Sequence, residues 1–318
     1  ERTTYVAMID WDRYDTEQLP PCDGASIDAI RVVFPHGKHK EGLAVAEKIR
    51  AKGYRVFLQA ANTMAYSDAD LEDLVEAVNA FSPVALSVVD TFGAMYEEDL
   101  ERIVRVIDAK LDKAIGLGFH SHNNQQLSFA LTIHFVNLLE SSGRTVMVDA
   151  SLCGMGRGAG NATTELVTSY LNRKKHGNYD LDAIMDAIDT YMEPFRQTYT
   201  WGYSTPYFIA GLYQCHVNNI AYLQRNHRAN ARDMRNIIAS LSQGERRKYD
   251  YDLLERRFLE NQSRHVDDEA AIRALRKAFG ERTILLIAPG RSVVDEMQQV
   301  QAFIDQEHPV VMGVNAIC

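Results

Sequence analysis

Ala114-Ile115-Gly116-Leu117-Gly118-Phe119-His120-Ser121-His122-Asn123-Asn124 carries an apolar strand directly into two histidines and two asparagines. On an extended strand, residues two apart point to the same side. Both imidazoles therefore leave the strand end together and converge on one point, as two ligands of one divalent ion must. On a helix the pair would need a spacing of three or four, as in H-E-x-x-H. Taken alone, His-x-His also describes an ordinary polar strand end. Its weight comes from its place in a repeating architecture.

Six short β-rich runs, at 4–9, 30–34, 55–59, 84–89, 114–119 and 145–148, recur with helical stretches between them. Their starts lie about 25 to 30 residues apart, the length of a βα unit. The stretches 41–52 and 96–110 show apolar residues at three- and four-residue spacing, as amphipathic helices do. Strands apolar on both faces suit a parallel sheet covered by helices, which leaves a doubly wound sheet or a (β/α)8 barrel. Asp10, Gln59, Asp90-Thr91, His120/His122 and Asp149 all fall at carboxyl ends of strands in this series. A barrel gathers such ends around one site, whereas a doubly wound sheet uses one switch point and would waste most of them. The expected fold is α/β: an incomplete TIM barrel, six of eight units, over residues 1–178.

From about Asp180 the period breaks. The stretches 181–195, 206–223, 231–241, 251–261 and 267–279 read as helices without strands between them, an α-helical appendage over 179–280. Residues 283–288, then Pro289-Gly290-Arg291-Ser292 and a helix, then 310–314, read as the start of a further α/β unit over 281–318. A glycine turn feeding a helix can bind phosphate, although one glycine is a weak signal. The chain opens on Glu1 almost directly before a strand and stops at Cys318 just after one, which reads as a piece of a longer protein.

With 318 residues and 46% hydrophobic content, the chain can bury a large core. It has no apolar stretch of about 18 residues, so no membrane span is expected, and no signal-peptide succession at its start. Cys22, Cys153, Cys215 and Cys318 lie far apart with no C-x-x-C, which fits free thiols in a reducing cytoplasm. A net charge of −9 argues against non-specific nucleic-acid binding. Arg246-Arg247-Lys248 reads as a solvated helix face.

A second dense segment follows the last strand of the series: Asp149-Ala150-Ser151-Leu152-Cys153-Gly154-Met155-Gly156-Arg157-Gly158-Ala159-Gly160-Asn161, then Ala162-Thr163-Thr164-Glu165-Leu166. Glycines at every second position allow a tight backbone. Three readings stand. The loop is a phosphate cradle, though it matches neither the P-loop nor the dinucleotide fingerprint. It is a plain turn with Asn161 capping the next helix. Or its glycines clear space for Asn161 to offer an amide oxygen to the ion that His120 and His122 hold.

H-S-H-N-N after one strand and D-A-S-L-x-G-M-G-x-G-A-G-N-A-x-x-E after the next resemble the DRE-TIM (HMGL-like) metallolyases. These include 4-hydroxy-2-oxovalerate aldolase, 3-hydroxy-3-methylglutaryl-CoA lyase and the isopropylmalate synthases. Asp90-Thr91-Phe92-Gly93-Ala94-Met95 is similar to the D-S-x-G-x-M turn of the aldolase branch. The likeness covers roughly 3–171 and, more loosely, the helices to about Leu223.

The resemblance implies a barrel holding Mn2+ or Mg2+, with His120 and His122 as ligands and Asn161 as a further or outer one. It implies a substrate of the α-keto acid type, bound near Gln59, Asp90 and Thr91, with Thr91 on its carboxylate. It places Tyr213 at the barrel mouth as a catalytic tyrosine. A mixed imidazole and oxygen site suits a borderline-hard ion that stabilises the enolate of pyruvate as a carbon–carbon bond breaks or forms. The leading expectation is an aldolase of 4-hydroxy-2-oxo acids. A Claisen-type synthase using acyl-CoA and a non-catalytic barrel scaffold are the alternatives. The resemblance also admits a homodimer and a partner dehydrogenase that takes the aldehyde, although no residue of the chain shows either.

The family's namesake first-strand motif, D-x-T-L-R-D-G, which supplies a third ligand and the catalytic arginine, occurs nowhere in this chain. Asp10, Asp90 and Asp149 are the candidate substitutes, each on another strand. The chain alone is therefore expected to be inactive or nearly so. Cys153 is a candidate reactive thiol. His36, in a loop, and His134, on a helix, read as structural, and Arg31 either faces the barrel interior or pairs with a neighbouring acid.

Overall fold

In a parallel strand the side chains alternate between two faces, and in this chain the two faces carry different residues. The structure, a computed structural model describing residues 3–263 and 268–314, forms six strands. They are β1 (Val6–Asp10), β2 (Ala29–Pro35), β3 (Arg55–Ala61), β4 (Ala85–Asp90), β5 (Gly116–Ser121) and β6 (Val146–Val148). All pairs are parallel, and the order in the sheet is the order in the chain. A doubly wound sheet reverses its winding at a switch point; this one never does. It is the incomplete barrel expected from the strand ends.

Helices α1 (His39–Ala51), α2 (Asp68–Phe81), α3 (Glu97–Lys110), α4 (Ser128–Leu138) and α5 (Thr164–Lys174) follow β2 to β6. Ser67 and Asp70 form a reciprocal capping box that starts α2, satisfying donors a helix end leaves open. The outward side chains Phe34, Leu58, Leu86 and Phe119 are buried in one core with Ile49, Leu74, Ile103 and Phe135 of the helices. Burying a side chain of this size contributes about 1.5–3 kcal/mol, so this face holds the unit together.

The inner face is smaller and more polar. Register places Val33, Gln59, Ser87 and Gly118 in one row across β2 to β5, and Val89 beside His120 further on. A Cβ on Gly118 would lie 2.5 Å from Ser87 Oγ, and one on Gly116 would lie 3.2 Å from Ala85 Cβ. The curved interior has no room there. Gly118→Ala is expected to cost about 1–3 kcal/mol through overpacking, read as a lowered urea midpoint. An unchanged midpoint would show that Ser87 swings aside freely.

The compact units are Glu1–Asn261 and Gln262–Cys318. The first therefore includes the helices expected as an appendage up to α12: α6 (Leu181–Ala187), α7 (Glu193–Arg196), α8 (Thr205–Leu212), α9 (Val217–His227), α10 (Ala231–Ser240), α11 (Gln243–Arg247) and α12 (Tyr251–Gln262). Ile209, Ile220, Leu223, Ile237, Ile238 and Leu254 form the shared core of α8, α9, α10 and α12.

One expectation fails here. Residues 206–223 read as a single helix, but the structure breaks it between α8 and α9. Gln214 takes a left-handed φ of 49°, Cys215 N donates back to Ala210 O at 2.8 Å, and the His216 ring accepts from Asn218 N as the cap of α9. Apolar periodicity continues across the break because both helices bury into the same core, so the pattern cannot reveal it.

The second unit comprises α13 (Glu269–Phe279), β7 (Ile284–Ile287), α14 (Arg291–Asp295), α15 (Met297–Glu307) and β8 (Val310–Gly313), with β7 and β8 parallel. The glycine turn at Gly290 feeds a helix of only five residues. Among the described residues no helix is long and apolar enough to cross a membrane. Cys22, Cys153 and Cys215 are free thiols; the expectations placed on Glu1, Asp267 and Cys318 fall outside the described residues.

Candidate active site

At the carboxyl end of β5 the two imidazoles stand together, ring centroids 5.0 Å apart and nearly perpendicular. Each has one nitrogen already committed. His120 Nδ1 lies 3.0 Å from Asp149 Oδ2, and His122 Nδ1 lies 3.1 Å from the backbone oxygen of Asp90. Both partners are acceptors, so the ring proton sits on Nδ1 and each Nε2 keeps its lone pair. Orientation of this kind is what fixes histidine ligands in metal sites. Burial, and then the neighbouring His120 and Arg157, push the His122 pKa down to about 4, so its ring is neutral near pH 7.

Asp149 also answers for Arg31. The Arg31 Nη2 donates to Asp149 Oδ1 at 3.1 Å and Nη1 donates to Oδ2. Arg31 thus lies on the interior face, paired with the acid that holds His120. Burial works to raise the Asp149 pKa, but hydrogen bonds from His120 and Arg31 outweigh it and hold the carboxyl below its ordinary value.

Asn161 joins this site through its backbone. It pairs with His122 in an isolated antiparallel bridge, and Asn123 N donates to Gly160 O at 2.9 Å. Its Nδ2 donates to Met155 O at 2.9 Å, while Oδ1 is buried without a hydrogen-bond partner. The glycines make the fold-back possible. Gly160 has φ +82°, where a Cβ would fall 2.1 Å from Gly154 O, and a Cβ on Gly156 would fall 2.6 Å from Asn161 Nδ2. Among the three readings of this loop, the cap is the one that fails: α5 begins at Thr164, with Thr163 as its N-cap.

The other expected residues divide. Gln59 lines the same cavity, about 520 Å³, as His120, His122 and Thr91; its Oε1 is buried and unpartnered. Thr91 Oγ accepts from Asn62 N at 2.6 Å, which leaves its hydroxyl proton free to donate into the cavity. Asp90 is not brought in. Its carboxylate is spent on the turn, accepting from Ala94 N at 2.9 Å and Met95 N at 3.3 Å, and burial raises its pKa to about 6. Tyr213 packs against the helical core with Arg246 5.0 Å above its ring. The tyrosine that reaches the cavity from the helices is Tyr249.

The sequence reading missed Arg157, His216, Asn218 and Tyr249, which form the helical side of the cavity. Arg157 stood in plain view within the glycine loop, but only the folded chain shows it beside His122. His216 Nδ1 accepts from Asn218 N at 3.1 Å, so its ring proton sits on Nε2. Burial, then Arg157 and Arg13, push its pKa down to about 4. The unfolded chain takes up that proton near pH 6.5, the folded chain only near 4, so this stability is lost as the pH falls between them. Allowing for partial exposure, His216→Gln is expected to remove about 1–2 kcal/mol of acid-side slope, measured by urea unfolding from pH 7 to 4. An unaltered slope would place the sensitivity elsewhere.

Two free imidazole nitrogens and the buried, unsatisfied Gln59 Oε1 on the same cavity make a donor set that fits a borderline-hard divalent cation. No carboxylate completes it among the described residues: the group of His, Cys, Asp or Glu donors gathered within 4.8 Å is Glu97, Glu101 and His134, on the outer helices. There the two His134 nitrogens lie 3.4 and 3.0 Å from the glutamates, an exposed clamp between α3 and α4. His36 similarly pairs with Asp70 at 3.2 Å. Burial, and then the charge of Glu165, raise the Cys153 thiol pKa, the wrong direction for a nucleophile.

Residues 37–190 match the HMGL-like family model. Over 165 residues the chain is 28% identical to an oxaloacetate decarboxylase of Mycobacterium tuberculosis, covering 52% of this chain and 47% of that protein. Over 156 residues it is 30% identical to a 4-hydroxy-2-oxovalerate aldolase of Thermomicrobium roseum, covering 46% and 42%. The chain thus spans less than half the length of these relatives. Its fold resembles the N-terminal domain of a protein from Bacteroides vulgatus, with TM-score 0.59 and 22% identity over 71% of this chain and 74% of that one. It also resembles the carboxyl transferase domain of Rhizobium etli pyruvate carboxylase, with TM-score 0.54 and 13% identity over 79% and 47%. Residues 37–190, with the histidine pair and the glycine loop inside that span, are thus an HMGL-like segment.

Proposed function

We propose that this chain carries the metal- and substrate-binding part of a carbon–carbon lyase acting on 4-hydroxy-2-oxo acids. The observation that supports it most is the pair of imidazoles whose Nδ1 atoms are held by Asp149 and by the Asp90 carbonyl, leaving both Nε2 atoms as ligands. A divalent ion bound there, Mn2+ or Mg2+, supplies a Lewis acid for the 2-oxo group.

The chain's own residues do the rest. His120 and His122 hold their rings in the ligating tautomer, and Asn161 and Gln59 offer amide oxygens that have no other partner. Thr91, anchored by Asn62, donates its hydroxyl proton to the substrate carboxylate. Because no carboxylate joins the two histidines among the described residues, and hard ions prefer oxygen donors, this chain alone is expected to bind the ion without turning substrate over.

Oxalate, which presents the two adjacent oxygens of a pyruvate enolate, tests the reading by calorimetry on the whole chain. Tight binding with Mn2+ that weakens at least about tenfold in EDTA is the expected result. Equal binding in both conditions would sink the metal assignment, and pyruvate release from 4-hydroxy-2-oxovalerate would show that the chain is already a complete enzyme.

A further inference from the structure

The charges around the cavity do not cancel. Asp149 matches Arg31, and Asp10 lies 3.4 Å from Arg13. Arg157 has no carboxylate partner among the described residues; its Nη2 donates to the neutral Asn218 Oδ1 at 2.6 Å. The same Asn218 donates its backbone N–H to His216 Nδ1 and so leaves His216 a donor at Nε2. One residue therefore fixes both an uncompensated guanidinium and an imidazole N–H.

Both groups line the cavity of the histidine pair and also a recess of about 120 Å³ that shares Thr91 and His122 with it. They sit at the start of α9 (Val217–His227), where backbone N–H groups add positive potential. Guanidinium, neutral imidazole N–H and helix start together are suited to an anion.

We propose that Arg157 and His216, both positioned by Asn218, seat a second carboxylate, so that the substrate is a 2-oxo dicarboxylic acid. The inference rests on the reading that the 2-oxo end goes to the histidine pair. That end accounts for one carboxylate, and Arg157 is left to meet another. A monocarboxylic 2-oxo acid would leave the guanidinium facing an uncharged tail.

2-Oxoglutarate and 2-oxovalerate, which match in length and differ by one carboxylate, separate the cases by calorimetry on the whole chain, with Mn2+ and in EDTA. The dicarboxylate is expected to bind about tenfold tighter or more, the scale of one charge-assisted hydrogen bond, in both conditions. Arg157→Gln should abolish that preference and leave 2-oxovalerate within about twofold. Asn218→Asp, which gives the guanidinium an internal acid, should do the same without lowering the melting temperature. Equal affinities, absence of 2-oxoglutarate binding, or an Arg157→Gln loss shared by both ligands would overturn the seat. A preference that persists while Mn2+ strengthens neither ligand would support the seat and sink the metal reading alone.

Discussion

Alanine at His120 or His122 is expected to lower Mn2+ affinity more than about 100-fold, since removing only an outer partner of a ligating histidine already costs 10–100-fold. Both rings lie on the interior face of the β5 end, and their truncation removes no member of the outer core formed by Phe34, Leu86 and Phe119. Folding should therefore survive, and circular dichroism together with the melting temperature would confirm it. Electron paramagnetic titration of Mn2+ reads the affinity. If both single variants kept wild-type affinity, the pair would be an ordinary polar strand end and the lyase reading would fall with it.

Asp149→Asn should produce two effects that can be separated. Arg31 would lose its counter-charge while the Arg31 and Asp149 side chains are only 22% and 23% exposed, and breaking such a pair costs about 3 kcal/mol, the low end for buried partners. The amide can also turn its NH2 toward His120 Nδ1, forcing the ring proton onto Nε2 and removing the lone pair a metal would use. Mn2+ affinity should fall about 10–100-fold as a result. In Arg31→Gln/Asp149→Asn the unpaired charge is gone, so part of the stability should return while the metal affinity stays low. Wild-type Mn2+ affinity in Asp149→Asn would show that His120 is oriented by something other than this carboxylate.

The histidine pair and the barrel were legible because each depends on local regularities. Period-two alternation places His120 and His122 on one side, and the steady spacing of strands places every strand end on one rim. The glycine loop was legible as a device but not as a choice, since three uses fit the same residues and only the start of α5 at Thr164 removes the cap among them. Asp90 and Tyr213 show the limit of reasoning by motif position. Asp90 ties down its own turn, and Tyr213 turns into the helical core.

By itself the sequence determined the winding of the sheet, the face on which the two imidazoles emerge and the family resemblance, because these follow from chain-local periodicity and from short contiguous motifs. Tertiary structure alone decided which distant groups meet: Arg31 with Asp149 across 118 positions, and Arg157 with Asn218 across 61. Such pairings arise from how far the sheet curves and where one helix yields to the next at Gln214. Both are set by packing of the whole unit, which no window of residues contains.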